Sequence, residues 1–294
     1  MALAVPTPAR ARPNALWSFI TAQPLGALSL LFILVMVFAS LFATWLVPHD
    51  PLKLDFAEIL SPPSWTYPFG TDNLGRCVFS RVVFGARTAL VIGILASLVG
   101  STIGGLIGVV QGYFGGRLDF YVSRFIDILL SFPIIVLALV VVAMLGKRIV
   151  LGVDMNLVVA IAIPIIPKVA RVVRSAALSV REMPYVDAAR ASGFSHQRIV
   201  LRHMVPNVFA PFIIMFTAFV AQAILLEASL SFLGLGVTEP TPAWGLMLAG
   251  NAADFYREAP WMIIFPGLAI SLSVFAFNLF GDALRDHLDP RFKV

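Results

Sequence analysis

The feature that most constrains this chain is a series of long apolar runs separated by short polar segments. A helix crosses the hydrocarbon core of a bilayer with roughly 20 apolar residues, so a nearly uncharged run of about 18 or more predicts a transmembrane helix. The sequence therefore predicts an all-α integral membrane protein. Six transmembrane helices are expected, at about residues 25–47, 88–112, 122–146, 157–173, 208–226 and 261–280.

The composition argues against a soluble protein. Charged residues make up 13% of the chain and its mean hydropathy is +0.91, whereas soluble proteins carry about 25% charged residues. The net charge of +5 does not indicate nucleic-acid binding, because the basic residues lie between apolar runs and lack interleaved aromatics. The single cysteine, Cys77, excludes an internal disulfide, and no Cys/His cluster has the spacing of a zinc site.

The distribution of positive charge predicts the orientation. Lys and Arg in short loops stay on the cytoplasmic side, and six spans with both termini inside put twice as many basic residues inside as outside. Both termini are therefore expected to be cytoplasmic. The predicted organisation is a cytoplasmic tail at 1–24, the first helix at 25–47 as an uncleaved anchor, an extracytoplasmic loop at 48–87, a five-helix core at 88–284 and a cytoplasmic tail at 285–294.

The longest polar interruption, at 174–206, lies between the fourth and fifth predicted helices. Seven of the 21 Lys and Arg residues fall in it or just before it, which predicts a cytoplasmic loop. Its middle predicts a short helix, because Pro184 suits a first helical position and Gly193 a C-terminal stop. Ala188 and Ala189 leave part of that helix nearly bare of side chain, so another protein's surface could approach its backbone closely.

This loop resembles a motif of one transporter family. The run Asp187-Ala188-Ala189, followed by Gly193 and Pro206, is similar to the Glu-Ala-Ala loop of ABC importer permeases, with Asp in place of Glu. His203 and Val205 also depart from the general motif, and the version of the motif around His203 resembles the peptide and nickel branch of that family.

Four further segments, in the same order along the chain, resemble the C-type permeases of that branch. They are Phe69–Arg76, Glu227–Gly236, Pro240–Gly245 and Gly281–Arg291. Cys77 stands where that family often has Asp, so the charge at this position differs. The resemblance covers about residues 60–294.

The resemblance implies a C-type permease of the dipeptide, oligopeptide or nickel class of ABC importers, with the type I permease fold, in the bacterial inner membrane. It implies a second homologous permease that completes the pore, two ATP-binding subunits and an extracytoplasmic substrate-binding protein. No cofactor is expected in this chain. ATP and Mg²⁺ would be bound by the partner ATPase subunits, since the sequence has no Gly-x-x-x-x-Gly-Lys-Ser/Thr loop. Nickel chelates, opines and glutathione-like molecules are alternative substrates.

In that family the loop helix docks into a groove of the ATPase, so the resemblance implies a coupling role for its residues. Asp187 and Arg190, three residues apart, are expected to brace the helix or to pair across the interface. The expected coupling residues are Tyr185, Asp187, Ala188, Ala189, Arg190, Gly193 and Pro206.

Two carboxylates in apolar segments, Asp127 and Glu227, are candidate gate or pore residues, because ionisable groups inside a membrane are functional candidates by default. Asp127 follows Arg124 by three residues and could form either a structural pair or a proton relay with it. Glu227 could equally cap irregular backbone near a helix end.

Glycines and prolines predict two further features of the spans. A stripe of glycines every four residues in the second helix permits close packing, either in a dimer or within the chain. Pro133 predicts a kink in the third helix, and Pro164 with Pro167 predicts a bent or broken fourth helix. The stripe consists of Gly100, Gly104, Gly108 and Gly112.

Two other classes of function are less consistent with the sequence. A membrane-embedded enzyme would need a nucleophile with its base or a metal site, and the chain has neither His-Glu-x-x-His nor Gly-x-Ser-x-Gly. A channel or autonomous transporter would need more intramembrane charge than Asp127 and Glu227 supply, or an inverted repeat. Dependence on partner subunits would distinguish these classes from an ABC permease.

Overall fold

The computed structural model describes residues 20, 23–150, 152–250 and 254–288. In this part of the chain all the long elements are helices, as the sequence predicts. Most of the predicted tail at 1–24, and the end of the tail predicted at 285–294, lie outside the described residues.

The first half of the chain contains two long helices, a bent pair and two short elements. These are α1 (Pro24–Leu41), α2 (Ala43–Leu46), a 3₁₀ turn (Phe56–Glu58), α3 (Val78–Phe114), α4 (Gly116–Ser131) and α5 (Ile134–Leu145). A small antiparallel hairpin follows, β1 (Ile149–Val150) with β2 (Val153–Asp154).

The second half contains another bent pair, the polar loop and two more long helices. These are α6 (Met155–Ala162), α7 (Ile165–Arg181), α8 (Pro184–Ala191), α9 (His196–Ile199), a π-helical turn (Val200–Met204), α10 (Val205–Phe232), α11 (Trp244–Leu248) and α12 (Trp261–Leu288).

Four stretches of the described chain are long and apolar enough to cross a membrane: α1, α3, the run from α9 to α10, and α12. The number rises to six if each bent pair forms one span. The axis turns by 94° between α4 and α5 and by 44° between α6 and α7. Pro133 and Pro164 stand at these breaks, because proline cannot donate a helical hydrogen bond and restricts the residue before it. The predicted breaks at Pro133 and Pro164 are confirmed, and the described residues support four to six spans where the sequence predicts six.

Helix α3 begins at Val78, well before the start predicted near Thr88. Arg81 and Arg87 interrupt the apolar run. Hydropathy alone therefore assigns residues 78–87 to the preceding loop. The helix nevertheless continues through Arg81, whose side chain is only 1% exposed and faces two carboxylates. The extracytoplasmic loop predicted at 48–87 therefore ends at Cys77.

The glycine stripe of α3 packs against α7 within the same chain. A Cβ atom built on Gly104 would lie 2.6 Å from the backbone oxygen of Ile166, and one built on Gly108 would lie 2.6 Å from that of Ala170. Only glycine permits helix axes to approach this closely. Of the two alternatives left open by the sequence, packing within the chain accounts for the stripe.

The core is organised around α3, which contacts α1, α6, α7, α10 and α12. Its contact with α7 is the most extensive between any two described helices. One buried apolar cluster joins α3 to α6, α7 and α10, and a second joins it to α1, α10 and α12. A shift of α3 would therefore be transmitted to most of the molecule.

We expect Gly108→Leu to separate α3 from α7 and to lower the free energy of unfolding by about 1–3 kcal/mol or more, as overpacked cores do. Gly267→Leu in α12 is the matched control, because a Cβ there has no atom within 4 Å. The measurement is the fraction of detergent-solubilised protein that stays monodisperse after heating. Equal losses in both variants would contradict the packing argument.

Candidate coupling site

The short helix predicted in the polar loop is present as α8, with Pro184 in its first turn. Its end is a Schellman motif, in which the Gly193 amide donates to the Arg190 carbonyl at 2.9 Å and the Phe194 amide donates to the Ala189 carbonyl at 3.1 Å. Gly193 has a φ of +74°, a conformation that glycine adopts without strain. The sequence therefore predicted both ends of this helix correctly.

One of the two alanines that the sequence predicts to be accessible on α8 is buried. Val186 is fully buried and Ala189 is only 5% exposed, and both belong to the protein's own core. Ala188 is exposed, as are Tyr185 and Arg190. Helical periodicity turns residues three apart to the same side, so Ala189 follows Val186 inward. Of the two alanines, only Ala188 lies on the face that is open to another protein.

Asp187 and Arg190 brace the exposed face of α8. The Arg190 Nη1 donates to Asp187 Oδ1 at 2.9 Å, as the three-residue spacing predicts. Exposed pairs of this kind contribute about 0.3–0.5 kcal/mol. The Arg190 guanidinium carbon also lies 5.6 Å from the centre of the Tyr113 ring, which attaches this end of α8 to the end of α3.

Tyr113 is a contact that the sequence analysis missed. Its side chain is 4% exposed, and its hydroxyl lies 2.8 Å from Nδ1 of His196, the first residue of α9. The signal in the sequence was a tyrosine at the polar end of an apolar helix, where its ring can be buried and its hydroxyl bonded. Tyr113 thus links α3 to both sides of the loop.

The chain after α8 enters the long helix α10 through α9 and a π-helical turn. The His203 ring lies between those of Tyr185 and Phe194, with centroid distances of 6.1 and 6.5 Å. Pro206, the last of the expected coupling residues, is exposed in the first turn of α10. It lies outside α8 and belongs to the exit from the loop.

Asp127 forms ion pairs at the junction of α4 and α7. It pairs with Arg124 at 3.6 Å, as the spacing predicts, and also with Arg171 of α7. Nearby, Arg174 binds both oxygens of Asp119 at 2.5 and 2.6 Å. These contacts tie α4 to α7 and favour the structural pair over the proton relay.

Glu227 lies at the far end of α10, away from the loop. It is fully buried and accepts a 2.7 Å hydrogen bond from the Ser231 hydroxyl, which in turn accepts one of 3.0 Å from the Val237 amide. The carboxylate therefore holds the irregular backbone that follows α10. This geometry supports the capping alternative. The other oxygen, Oε2, is buried without a hydrogen-bond partner among the described residues, so the gate or pore role stays a prediction.

A second polar cluster, which the sequence analysis did not predict, lies at the N-terminal end of α3. Arg76 donates to Asp72 at 2.6 Å and to Glu239 at 2.9 Å, and Arg81 donates to Glu239 at 3.3 Å. The four residues join the loop before α3 to the loop after α10. Cys77 caps α3 without a side-chain hydrogen bond, so the carboxylates near Arg81 come from Asp72 and Glu239.

The described residues contain no group of three His, Cys, Asp or Glu side chains that could hold a metal ion. The two polar regions at the ends of α3 instead consist of ion pairs and backbone caps.

Comparison with known proteins identifies the family of this chain. Residues 100–294 match the family described as binding-protein-dependent transport system inner membrane component. Residues 16–63 match the N-terminal transmembrane domain of oligopeptide transport permease C. The chain is a member of this permease family.

The similarity between this permease and its relatives extends over nearly its whole length. It is 41% identical to the glutathione transport system permease protein GsiD of Shigella flexneri, over 100% of this chain and 95% of that protein. It is 40% identical to the di/tripeptide transport system permease protein DppC of Pseudomonas aeruginosa, over 91% of this chain and 89% of that protein. The prediction of a peptide-type ABC importer permease, a multi-pass protein of the inner membrane, is confirmed.

A solved structure supports the fold. The permease resembles a chain of the inward-facing MetNI methionine ABC transporter with a TM-score of 0.55 and 19% identity, over 72% of this chain and 98% of that chain. At this identity the likeness shows the type I permease fold alone.

We expect Glu239→Gln to destabilise the permease by about 1–3 kcal/mol, because Arg81 would keep a buried positive charge with one carboxylate fewer. Adding Cys77→Asp should restore part of the loss, because residue 77 is the N-cap of α3 and an Asp there would accept a hydrogen bond from a free amide of the first helical turn. Thermal unfolding in detergent measures both effects. A double variant less stable than Glu239→Gln would contradict this account.

Proposed function

We propose that this permease forms half of the translocation pore of an ATP-driven importer for small peptides, including glutathione-like peptides. The support is that relatives about 40% identical over most of the chain carry the names of glutathione and di/tripeptide permeases. Nickel chelates and opines are the second candidates, and they rest on the motif resemblance alone.

The proposed topology has six spans, with α4–α5 and α6–α7 each crossing once and both termini in the cytoplasm. The charge distribution supports this orientation, because it puts the basic loop around α8 on the inner side. A bent or broken span is tolerated where its free backbone groups are buried in protein or face water.

The proposed partners are a second permease, two ATP-binding subunits and an extracytoplasmic substrate-binding protein. ATP and Mg²⁺ would be bound by the ATP-binding subunits, and this chain would perform no catalysis. Its role would be to convert closure of the ATPase pair into alternating access of the pore.

In this proposal α8 transmits the movement of the ATPase to α3 and α7. Three observations support such a role: α8 follows α7 directly, its ends are fixed by Pro184 and Gly193, and its inner face belongs to the protein core. A helix held in this way moves as a rigid body, whereas a flexible loop would absorb the displacement. Tyr185, Asp187, Ala188 and Arg190 would contact the ATPase, while Ala189, Gly193 and Pro206 would act by shaping the loop.

We expect Ala188→Trp to reduce peptide uptake and peptide-stimulated ATP hydrolysis at least tenfold in proteoliposomes that contain the complete transporter. The indole would hold the ATPase surface away from the exposed face of α8. Ala188→Ser is the matched control and should retain most activity, because its side chain is nearly as small. Full activity of the Trp variant in a correctly assembled complex would contradict the coupling role.

A substitution at Gly193 tests the shape of the loop. We expect Gly193→Val to uncouple ATP hydrolysis from uptake while leaving membrane insertion intact, because a β-branched residue is strained at this positive φ. Gly193→Asn should be much milder, since Asn tolerates this conformation. A Cβ at this position meets no atom within 4 Å, so the difference would report backbone strain alone. Equal coupling in the two variants would count against the model.

A further inference from the structure

A cavity of about 470 Å³ lies beside the ion-pair cluster at the N-terminal end of α3. Asp72, Arg76, Arg81 and Glu239 form its charged wall, and Met247 and Met262 contribute to the apolar wall. The volume falls in the range of small-molecule sites, which combine apolar walls with a few convergent polar groups. This cavity is at the opposite end of α3 from the loop around α8.

Two hydrogen-bond donors of the buried Arg81 side chain are unpaired among the described residues. It is 1% exposed, yet its Nε and Nη1 have no hydrogen-bond partner among the described residues. The Nε atom lies 3.9 Å from Asp72 Oδ2, beyond hydrogen-bond distance. A buried guanidinium with unpaired donors is costly, and a further carboxylate would satisfy it. Val78, the first residue of α3, also lines the cavity, so the positive end of the helix dipole adds to the attraction.

The two carboxylates of the cluster are held very differently. Asp72 is fixed by the backbone amides of Leu74 and Arg76, at 2.8 and 3.0 Å, as well as by the Arg76 side chain. Among the described residues, the Glu239 carboxylate is held only by Arg76 and Arg81, and its side chain is 51% exposed. Glu239 is therefore the carboxylate that can leave, and its departure would free donors on both guanidinium groups.

We propose that the cavity binds the carboxylate of a small peptide, which displaces Glu239 from Arg76 and Arg81. Glu239 acts as an internal competitor that neutralises the two arginines when no peptide is bound. A side chain next to the bound carboxylate would pack against the apolar wall formed in part by Met247 and Met262. The choice of a peptide as the ligand rests on the proposed function, whereas the carboxylate site rests on the geometry.

The test uses the purified full chain in detergent, with glycylleucine and glycylleucinamide as probes. The amide has the same shape but lacks the carboxylate. Glycylleucine is expected to bind and to raise the melting temperature, and the amide is expected to do neither. Equal binding of the two probes would overturn the proposal.

The decisive variant is Glu239→Gln, which removes the internal competitor and should bind glycylleucine at least threefold more tightly than the wild type. Arg76→Gln should weaken binding at least tenfold. Unchanged or weaker binding by a folded Glu239→Gln variant would overturn the proposal, because a purely structural cluster predicts no gain.

Acetate serves as a third probe. It represents the alternative ligand, a side-chain carboxylate of a protein that docks at this cavity. Binding of acetate as tight as that of glycylleucine would overturn the assignment to a peptide. These measurements need no ATPase, so they fail or succeed independently of the uptake experiments on Ala188 and Gly193. If glycylleucine binds but the complete transporter takes up no peptide, only the proposed function is contradicted. If peptide is taken up but glycylleucine does not bind here, only this site is contradicted.

Discussion

The close approach of α3 to α7 is the contact on which the rest of the structure depends. Along the glycine stripe α3 has no side chains, so its backbone lies against carbonyl groups and Cβ atoms of α7. Inside a bilayer there is little hydrophobic force between helices, and tight van der Waals packing has to replace it. Helix α7 continues into the loop around α8, and Tyr113, in the last turn of α3, contacts that loop again. The loop is thus attached to the core at two points.

Charged groups are concentrated at the two ends of this helix pair. At one end, Asp119 and Asp127 of α4 bind arginines of α7. At the other, Asp72 and Glu239 bind Arg76 and Arg81 beside the start of α3. A charge is expensive within the hydrocarbon core and less so at its borders. Each cluster also joins segments that are distant in sequence, so the ion pairs hold loops and helices in register at both ends.

Several elements followed directly from local sequence signals. The ends of α8 were predictable because Pro184 and Gly193 act through their own backbone geometry, which depends little on the rest of the fold. The breaks at Pro133 and Pro164 were predictable for the same reason. The start of α3 was not, because hydropathy treats Arg81 as a loop residue and cannot register that Asp72 and Glu239 compensate its charge. Tyr113 was missed because its partner, His196, lies 83 residues away in the sequence.

By itself the sequence determined that this chain is a helical membrane protein, where its polar loop lies, and to which permease family it belongs. Those properties are set by hydropathy, residue conformational preference and motif order, all of which are local or one-dimensional. Tertiary structure alone decided that the glycine stripe packs inward, that Ala189 faces the core while Ala188 does not, and which carboxylates neutralise Arg81. These outcomes depend on contacts between segments far apart in the chain, and such contacts form only when the helices pack together.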